Sequence, residues 1–422
     1  MKERYQILSR KDSRELAEYL SSNGQLILPM VELIEQSRMA VYDLIEEVGR
    51  STIEAILLIS AANVAGERHQ GKPGGEVLHH GHQDGVVSLS DRKIRVSKPR
   101  LRRRGGSEVG IPAYDAMTSD EGLIRAILKT MMAGVSTRNY ASILPESCEK
   151  VGISKSSVSR KFVMASEEEY RQLLERRLDD LNILIIYVDG LVYGDHNIIV
   201  AVGVDDQGYK HVLGIKTGAT ENSAVVTELL EDMVERGIKP GVRRLFVIDG
   251  SKALRKAIDA VYGQDNPVQR CRVHKLRNAE EKAPSHLKEM VATHLNAAWK
   301  LEAEAGIRRI KELAHMLQGN YPSVAASLLE GLEEMFTVNR LGLPSSLRRS
   351  LVSTNIIESN NSGVRRRTRR VTNWESEGML GRWVASGVLS QEKGFRRISG
   401  YRELWILKAA LGWEVDKNSN AA

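Results

Sequence analysis

The sequence predicts a mixed α/β core, with helical modules on its N-terminal side and a long helical stretch inside its C-terminal half. Three observations predict it. Residues 181–217 hold three apolar strand-like runs in close succession, and residues 243–271 alternate strand, helix and strand. From His274 to about Phe336 the apolar positions keep a helical spacing. The chain has 422 residues, room for two to four domains at roughly 150 residues each, and its 42% hydrophobic content can fill more than one core.

Residues 1–66 form a helical region by the spacing of Met30, Leu33, Ile34, then Val41, Leu44, Ile45, Val48, then Ile53, Ile56, Leu57. Between residues 67 and 118 glycines and prolines break helices, while VVSLS and KIRVSKPRL alternate like short strands, so a small basic β-rich segment is expected. Residues 119–178 return to helix. Two helices and a turn through Gly152 lead to a short third helix capped by Ser154, from which Lys155, Ser156, Ser159 and Arg160 project. A helix-turn-helix places such residues in a DNA major groove; an ordinary three-helix unit is the other reading.

The core starts with LNILIIYVDG (181–190), NIIVAVGV (197–204) and YKHVLGIKT (209–217), the last two joined by a turn at Asp205-Asp206-Gln207-Gly208. A helix to Glu235, strand RRLFVIDG (243–250), helix SKALRKAIDAVYG (251–263) and strand VQRC (268–271) complete a βββαβαβ pattern of five strands. Asp189 and Asp249, 60 positions apart, are each expected at the C-terminal end of a buried strand, on neighbouring strands. Clustered carboxylates repel unless a cation such as Mg²⁺ accepts their oxygens. A two-ion clamp needs a third acid, and Glu358 qualifies because its helix-like segment NIIESNNSGVRRRTRR carries five arginines for a phosphate backbone.

Charge supports a polyanionic partner. The net +7 conceals two strips: residues 92–104 hold eight basic residues, residues 365–370 hold five, and the rest of the chain balances to −6. No apolar run is expected to reach the roughly 18–20 residues that span a bilayer, and the start lacks a signal-peptide stretch. A cytoplasmic protein is expected, with collagen-like, disordered, membrane-spanning and secreted classes excluded. Cys148 and Cys271 lie too far apart in sequence for a disulfide framework or a cysteine-rich zinc module.

These residues carry a resemblance. The chain resembles DDE transposases of the Mutator-type bacterial insertion-sequence family in the YVDG strand, VIDGSKAL, CRVHKLRN (271–278), Trp299 in a helical stretch, and STNIIES followed by RRRTRR. The likeness extends N-terminally to GVSTRNYASIL and GISKSSVSRKF and covers about residues 120–390. It implies an RNase H-like core with a mixed five-stranded sheet (179–271 and 346–410), interrupted by an all-helical insertion over 272–345, with a short tail at 411–422. It also implies Asp189, Asp249 and Glu358 as catalytic, metal-holding acids, with Mg²⁺ as cofactor and Mn²⁺ as a substitute.

The implied activity is binding of terminal inverted repeats followed by DNA strand cleavage and strand transfer. Two ends must be joined, so a homodimer or larger homo-oligomer is expected on double-stranded DNA at the bacterial nucleoid. Cys271 and His274 are expected beside the site. DNA contacts are expected from Arg100, Arg102, Arg103, Lys275, Arg277, Trp299, Arg365, Arg366, Arg367, Arg369 and Arg370, besides the α-helical quartet above. His79, His80, His82 and Asp84 could bind a metal or stay solvated in a loop. A zinc site built from Cys271 and His274 with His286 or His294 is the rarer reading of that pair. The rival functions are an RNase H-fold nuclease that cuts without joining, and a non-catalytic DNA-binding regulator.

Overall fold

The computed structural model describes residues 48–67, 75–88, 93–118, 120–143, 154–218 and 223–414. The helical periodicity before Val48, the turn through Gly152, and Cys148 lie outside them. The chain divides into two compact units, residues 1–130 with 135–162, and residues 131–134 with 163–422.

In the first unit, helix α1 (Val48–Ala65) is followed by strands β1 (Val77–Ser88), β2 (Lys93–Arg103) and β3 (Glu108–Val109). They form an antiparallel sheet in the order β1-β2-β3. Leu57, Ala61 and Ala65 of α1 pack with Val87, Ile94, Val96 and Leu101 into one core. At 18 residues and a mean hydropathy of 1.2, α1 is long and apolar enough to cross a membrane. That corrects the sequence expectation, although the buried face of α1 is committed to this protein core. Helices α2 (Pro112–Met117), α3 (Glu121–Met132) and the start of α4 (Lys155–Glu175) follow.

The strands run longer than the sequence suggested, and β1 contains the histidines. Among the described residues no three of these side chains bring ligand atoms within 4.8 Å of one another, and His79 instead bonds Gly66 O at 2.8 Å. The metal reading of His79, His80, His82 and Asp84 therefore fails, as does their placement in a loop. The expected short helix after Ser154 is also corrected: α4 runs 21 residues because no glycine or proline interrupts it. Ser154 does cap it, its Oγ accepting from Ser157 N at 3.1 Å.

The second unit is built on a five-stranded sheet of β4 (Ile183–Tyr193), β5 (His196–Asp205), β6 (Lys210–Gly218), β7 (Leu245–Ile248) and β8 (Val268–Arg270), in the order β6-β5-β4-β7-β8. The meander β4-β5-β6 is antiparallel, while β4-β7 and β7-β8 are parallel. Helix α5 (Ser223–Glu235) leads to β7, and α6 (Lys252–Tyr262) joins β7 to β8. One sheet face packs Ile186, Val188, Phe246 and Ile248 against Leu229 and Met233 of α5 and Leu254 and Ile258 of α6.

After β8 comes an all-helical stretch, α7 (Arg272–Lys282), α8 (Ser285–Ala298), α9 (Ala303–Leu317), α10 (Pro322–Leu329) and α11 (Thr337–Arg340), with its own core around Val291, Ile307, Leu328 and Phe336. Buried Arg272 pins it together, donating to Met335 O at 2.9 Å and Asn339 Oδ1 at 2.6 Å. Helices α12 (Ser345–Leu351), α13 (Asn355–Thr368), α14 (Glu377–Glu392) and α15 (Leu404–Ala410) then return to the sheet. Ile357 and Val364 of α13 and Val384 and Val388 of α14 cover Ile185, Tyr187, Val200 and Val247 on its other face. The result is helix, sheet and helix in three layers.

Candidate active site

Asp249 follows β7 directly, as the sequence suggested. Its Oδ1 accepts from Ser251 N at 2.8 Å, closing the turn into α6, and Gly250 adopts φ +114°, a conformation that favours glycine. Asp189 is placed differently. It does not end its strand: β4 continues to Tyr193, paired with β5 as far as Tyr193↔His196. What stops is its parallel neighbour, paired with β4 only as far as Tyr187↔Val247. Two residues further along each chain stand Asp189 and Asp249. Asp189 therefore projects where β4 outruns β7, and the two aspartates share one opening of the sheet.

Glu358 lies in the first turn of α13, which crosses this opening. Its Oε1 accepts from Thr354 Oγ1 at 2.6 Å and lies 3.8 Å from His274 Nδ1. One turn along α13, buried Asn361 donates from Nδ2 to Asp189 Oδ2 at 2.8 Å. The orientation of that amide is fixed by Asn360, whose Nδ2 donates to Asn361 Oδ1 at 3.2 Å. The sequence reading missed Asn361. Its spacing of three from Glu358 was the available signal, since positions three apart share a helix face.

Electrostatics register the convergence. Burial, with the charges of Asp249 and Glu358 added, pushes the Asp189 carboxyl up to about 6, against the lowering effect of the Asn361 hydrogen bond. His274 is raised to about 9, chiefly by its hydrogen bond with Cys271 and further by Glu358 and Asp249. Burial works to raise the Cys271 thiol, but hydrogen bonds from His274 and Thr354 outweigh it and the group is lowered. Cys271 Sγ accepts from His274 N at 3.5 Å and Thr354 N at 3.4 Å, tying the start of α7 to the segment that presents Glu358.

Among the described residues, the group of three potential metal ligands within 4.8 Å of one another is Cys271, His274 and Glu358. His286 and His294 do not join it; they bond Tyr321 Oη at 3.3 Å and Met290 O at 2.8 Å, which removes the four-ligand zinc reading. Oxygens of Asp189, Asp249 and Glu358 are not all mutually within that 4.8 Å.

The expected DNA contacts divide. Lys155, Ser156 and Arg160 are exposed on the first turns of α4, with Ser159 half-buried; Arg277 is exposed, as are Arg365, Arg366, Arg369 and Arg370. Arg367 turns inward to Ser390 Oγ at 3.2 Å and Gly363 O at 3.3 Å. Arg100 is paired with Glu108, Arg102 lies 3.8 Å from the same carboxylate, and Arg103 lies 4.0 Å from Glu76. Two expectations are corrected. Lys275 is buried, donating to Glu330 O at 2.5 Å, and burial lowers its amine to about 8. Trp299 is only 8% exposed, packed in the core of the helical stretch with the Arg272 guanidinium 5.6 Å from its ring, so it offers no open face to a base.

The profile of the family described as "Transposase, Mutator family" matches residues 25–396. The match defines the class, a transposase and hence a DNA-processing enzyme. The chain belongs to the Mutator family of transposases. It is 26% identical to the transposase for insertion sequence element IS905 of Lactococcus lactis, over 69% of this chain and 74% of that protein. It is 27% identical to the transposase for IS256 in transposon Tn4001 of Staphylococcus aureus, over 69% and 75%. With the transposase for IS1081 of Mycobacterium tuberculosis the identity is 28%, over 69% and 72%.

Proposed function

We propose that the chain is a DDE transposase of a bacterial insertion sequence, which binds the terminal inverted repeats of its element and performs strand cleavage and strand transfer on an RNase H-like core. The observation that carries this reading is that acids from three separate segments face one opening: Asp189 on β4, Asp249 after β7, and Glu358 on α13, whose Asn361 neighbour bonds Asp189 at 2.8 Å; burial first, and then the charges of Asp249 and Glu358, raise Asp189 to about 6. The strand order and directions of the sheet, with a helical insertion between the second and third acid, support the RNase H-like assignment.

Three carboxylates are hard oxygen donors suited to Mg²⁺, with Mn²⁺ as a substitute. The partly protonated Asp189 marks a negative cluster that a divalent cation would relieve. When bound, such cations supply an activated oxygen nucleophile and stabilise the leaving oxygen of a phosphodiester. The chain's own groups do the rest. Asp189, Asp249 and Glu358 provide the ligating oxygens, and Asn361 fixes the rotamer of Asp189. Protonated His274 offers positive charge beside Glu358, and Cys271 holds the backbone that carries both.

The exposed arginines around the end of α13 contact phosphates, while the first turns of α4 read the element's ends as the recognition helix of a helix-turn-helix. Two such chains act together on double-stranded DNA in the bacterial cytoplasm, because joining both ends of an element requires two sites. A strand-transfer assay tests the reading. A pre-cut donor with a free 3′-hydroxyl, given Mg²⁺ or Mn²⁺, should yield joined product; cleavage without joining would favour an RNase H-fold nuclease. Binding with neither cleavage nor joining would favour a regulator.

A further inference from the structure

Residues 393–402, KGFRRISGYR, hold four cations and no acid, and none of them belongs to the acidic opening, the α13 arginines or the first turns of α4. The segment is a fixed platform. Buried Ile398 anchors it, with its N–H donating to Gly208 O at 3.0 Å in the β5-β6 turn. Gly400 adopts φ +77°, and a Cβ there would stand 2.6 Å from Leu347 N, so the chain is pressed directly onto α12.

On this platform the Arg397 guanidinium lies between two phenols, 4.2 Å from the Tyr209 ring centre and 4.8 Å from that of Tyr401. The Lys210 amine is 5.1 Å from the Phe395 ring. Nearby acids are engaged elsewhere: Glu392 with Arg176, Asp205 with His211, Asp206 with Lys408, and Glu403 with Ser346. Among the described residues no carboxylate forms an ion pair with Lys210, Arg396, Arg397 or Arg402.

Lys210 and Arg396 also line a surface cavity with Ile356, Ser359 and Asn360 of α13. At about 100° per residue these positions face away from Glu358 and Asn361, so the patch lies behind α13, roughly one helix diameter (~10 Å) from the acids. Arg397 also donates from Nη2 to the Tyr209 hydroxyl, which fixes the guanidinium plane and leaves part of its donor fork for phosphate oxygens. The ring faces are already covered by Arg397, which leaves little for base stacking.

We infer that this patch binds, without sequence preference, the phosphate backbone of duplex DNA, as a contact separate from the phosphate that meets the acids. The inference rests on the DNA-processing reading and adds to it a backbone-holding surface outside the acidic opening.

The test is duplex binding by the full chain between about 50 and 200 mM salt, on one AT-rich and one GC-rich duplex of arbitrary sequence. For the Arg396→Ala/Arg397→Ala pair, the plot of log affinity against log salt should become shallower by about 1.8, and for Arg396→Ala alone by about 0.9. Arg396→Ala disturbs no ring contact and should melt as the wild type does, so its slope is read free of any loss of the Arg397 ring contacts. Both duplexes should lose affinity by the same factor, while Lys288→Ala/Lys300→Ala, which removes two exposed cations of the helical stretch, should leave the slope alone. An unchanged slope for the patch variants, an equal change for the control pair, or a loss confined to one duplex would overturn the inference. If the wild type bound no duplex at all, the DNA reading itself would fall with it.

Discussion

At the scale of single residues, the candidate site depends on a carboxylate kept from ionising freely. Asp189 sits near pKa 6, above its ordinary value of 3.8, so its contribution to stability is fully present below about 3.8 and is lost as the pH rises through about 6. On the proposed reading, a divalent cation would take over the proton's role above that range. Magnesium should therefore raise the melting temperature more at pH 7.5 than at pH 5, and its binding should release protons near pH 6, both measurable by calorimetry. In the metal-free protein, Asp189→Asn should stabilise by on the order of 1–2 kcal/mol at pH 7.5, allowing for partial solvent screening.

Asn361→Ala removes the hydrogen bond that opposes this shift, so the pH of half-maximal magnesium binding should move upward. A profile unmoved by the substitution would deny Asn361 its positioning role. Asp249 was legible in the sequence because VIDG ends a buried run and a turn follows it. The position of Asp189 within its strand was not. The glycine after it looks like a stop, yet the true turn comes at Gly194, with φ +57°, and only pairing shows that the neighbouring strand is the one that ends.

At the scale of elements, the five core strands and the helices between them were legible because each is a continuous apolar run bounded by turn residues, and buried parallel strands have that signature. Helix α4 was misjudged in length because its cap was visible while its end, which depends on packing into the second unit's core through Leu173, was not. The burial of Lys275 and Trp299 is hidden in the sequence for a related reason. A lysine or tryptophan on a helix shows its chemistry in the sequence, but which face the helix buries is decided by neighbours that arrive much later in the chain, here Glu330 and Asn339.

The helical stretch hangs on one such late contact. Arg272, lowered to about 10 by burial, satisfies carbonyl groups from the end of the stretch. Arg272→Met should destabilise the protein by about 2–3 kcal/mol, because it leaves Asn339 Oδ1 unpaired and Met335 O with the Gln269 Nε2 donor alone. Urea unfolding followed by tryptophan fluorescence measures this; a change below about 0.5 kcal/mol would show that the buried cation does not hold the stretch together.

At the scale of the whole molecule, the modest net charge of +7 averages a weakly acidic body against local cationic strips. Part of the first strip is paired with Glu108, whereas Arg365, Arg366, Arg369 and Arg370 remain exposed at the end of α13. Replacing Arg365 and Arg366 by alanine should weaken duplex binding with a salt slope shallower by about 1.8, alike for unrelated sequences.

The most direct test of the central claim is Asp249→Asn, assayed separately for binding and for metal-dependent cleavage of DNA carrying the element's ends. Asparagine preserves the size of the side chain and its oxygen for Ser251 N while removing the charge that would hold a cation. The account predicts end binding within about two-fold of wild type and a loss of cleavage on the order of a thousand-fold or more, as expected when transition-state stabilisation of several kcal/mol disappears. Cleavage at the wild-type rate would contradict it.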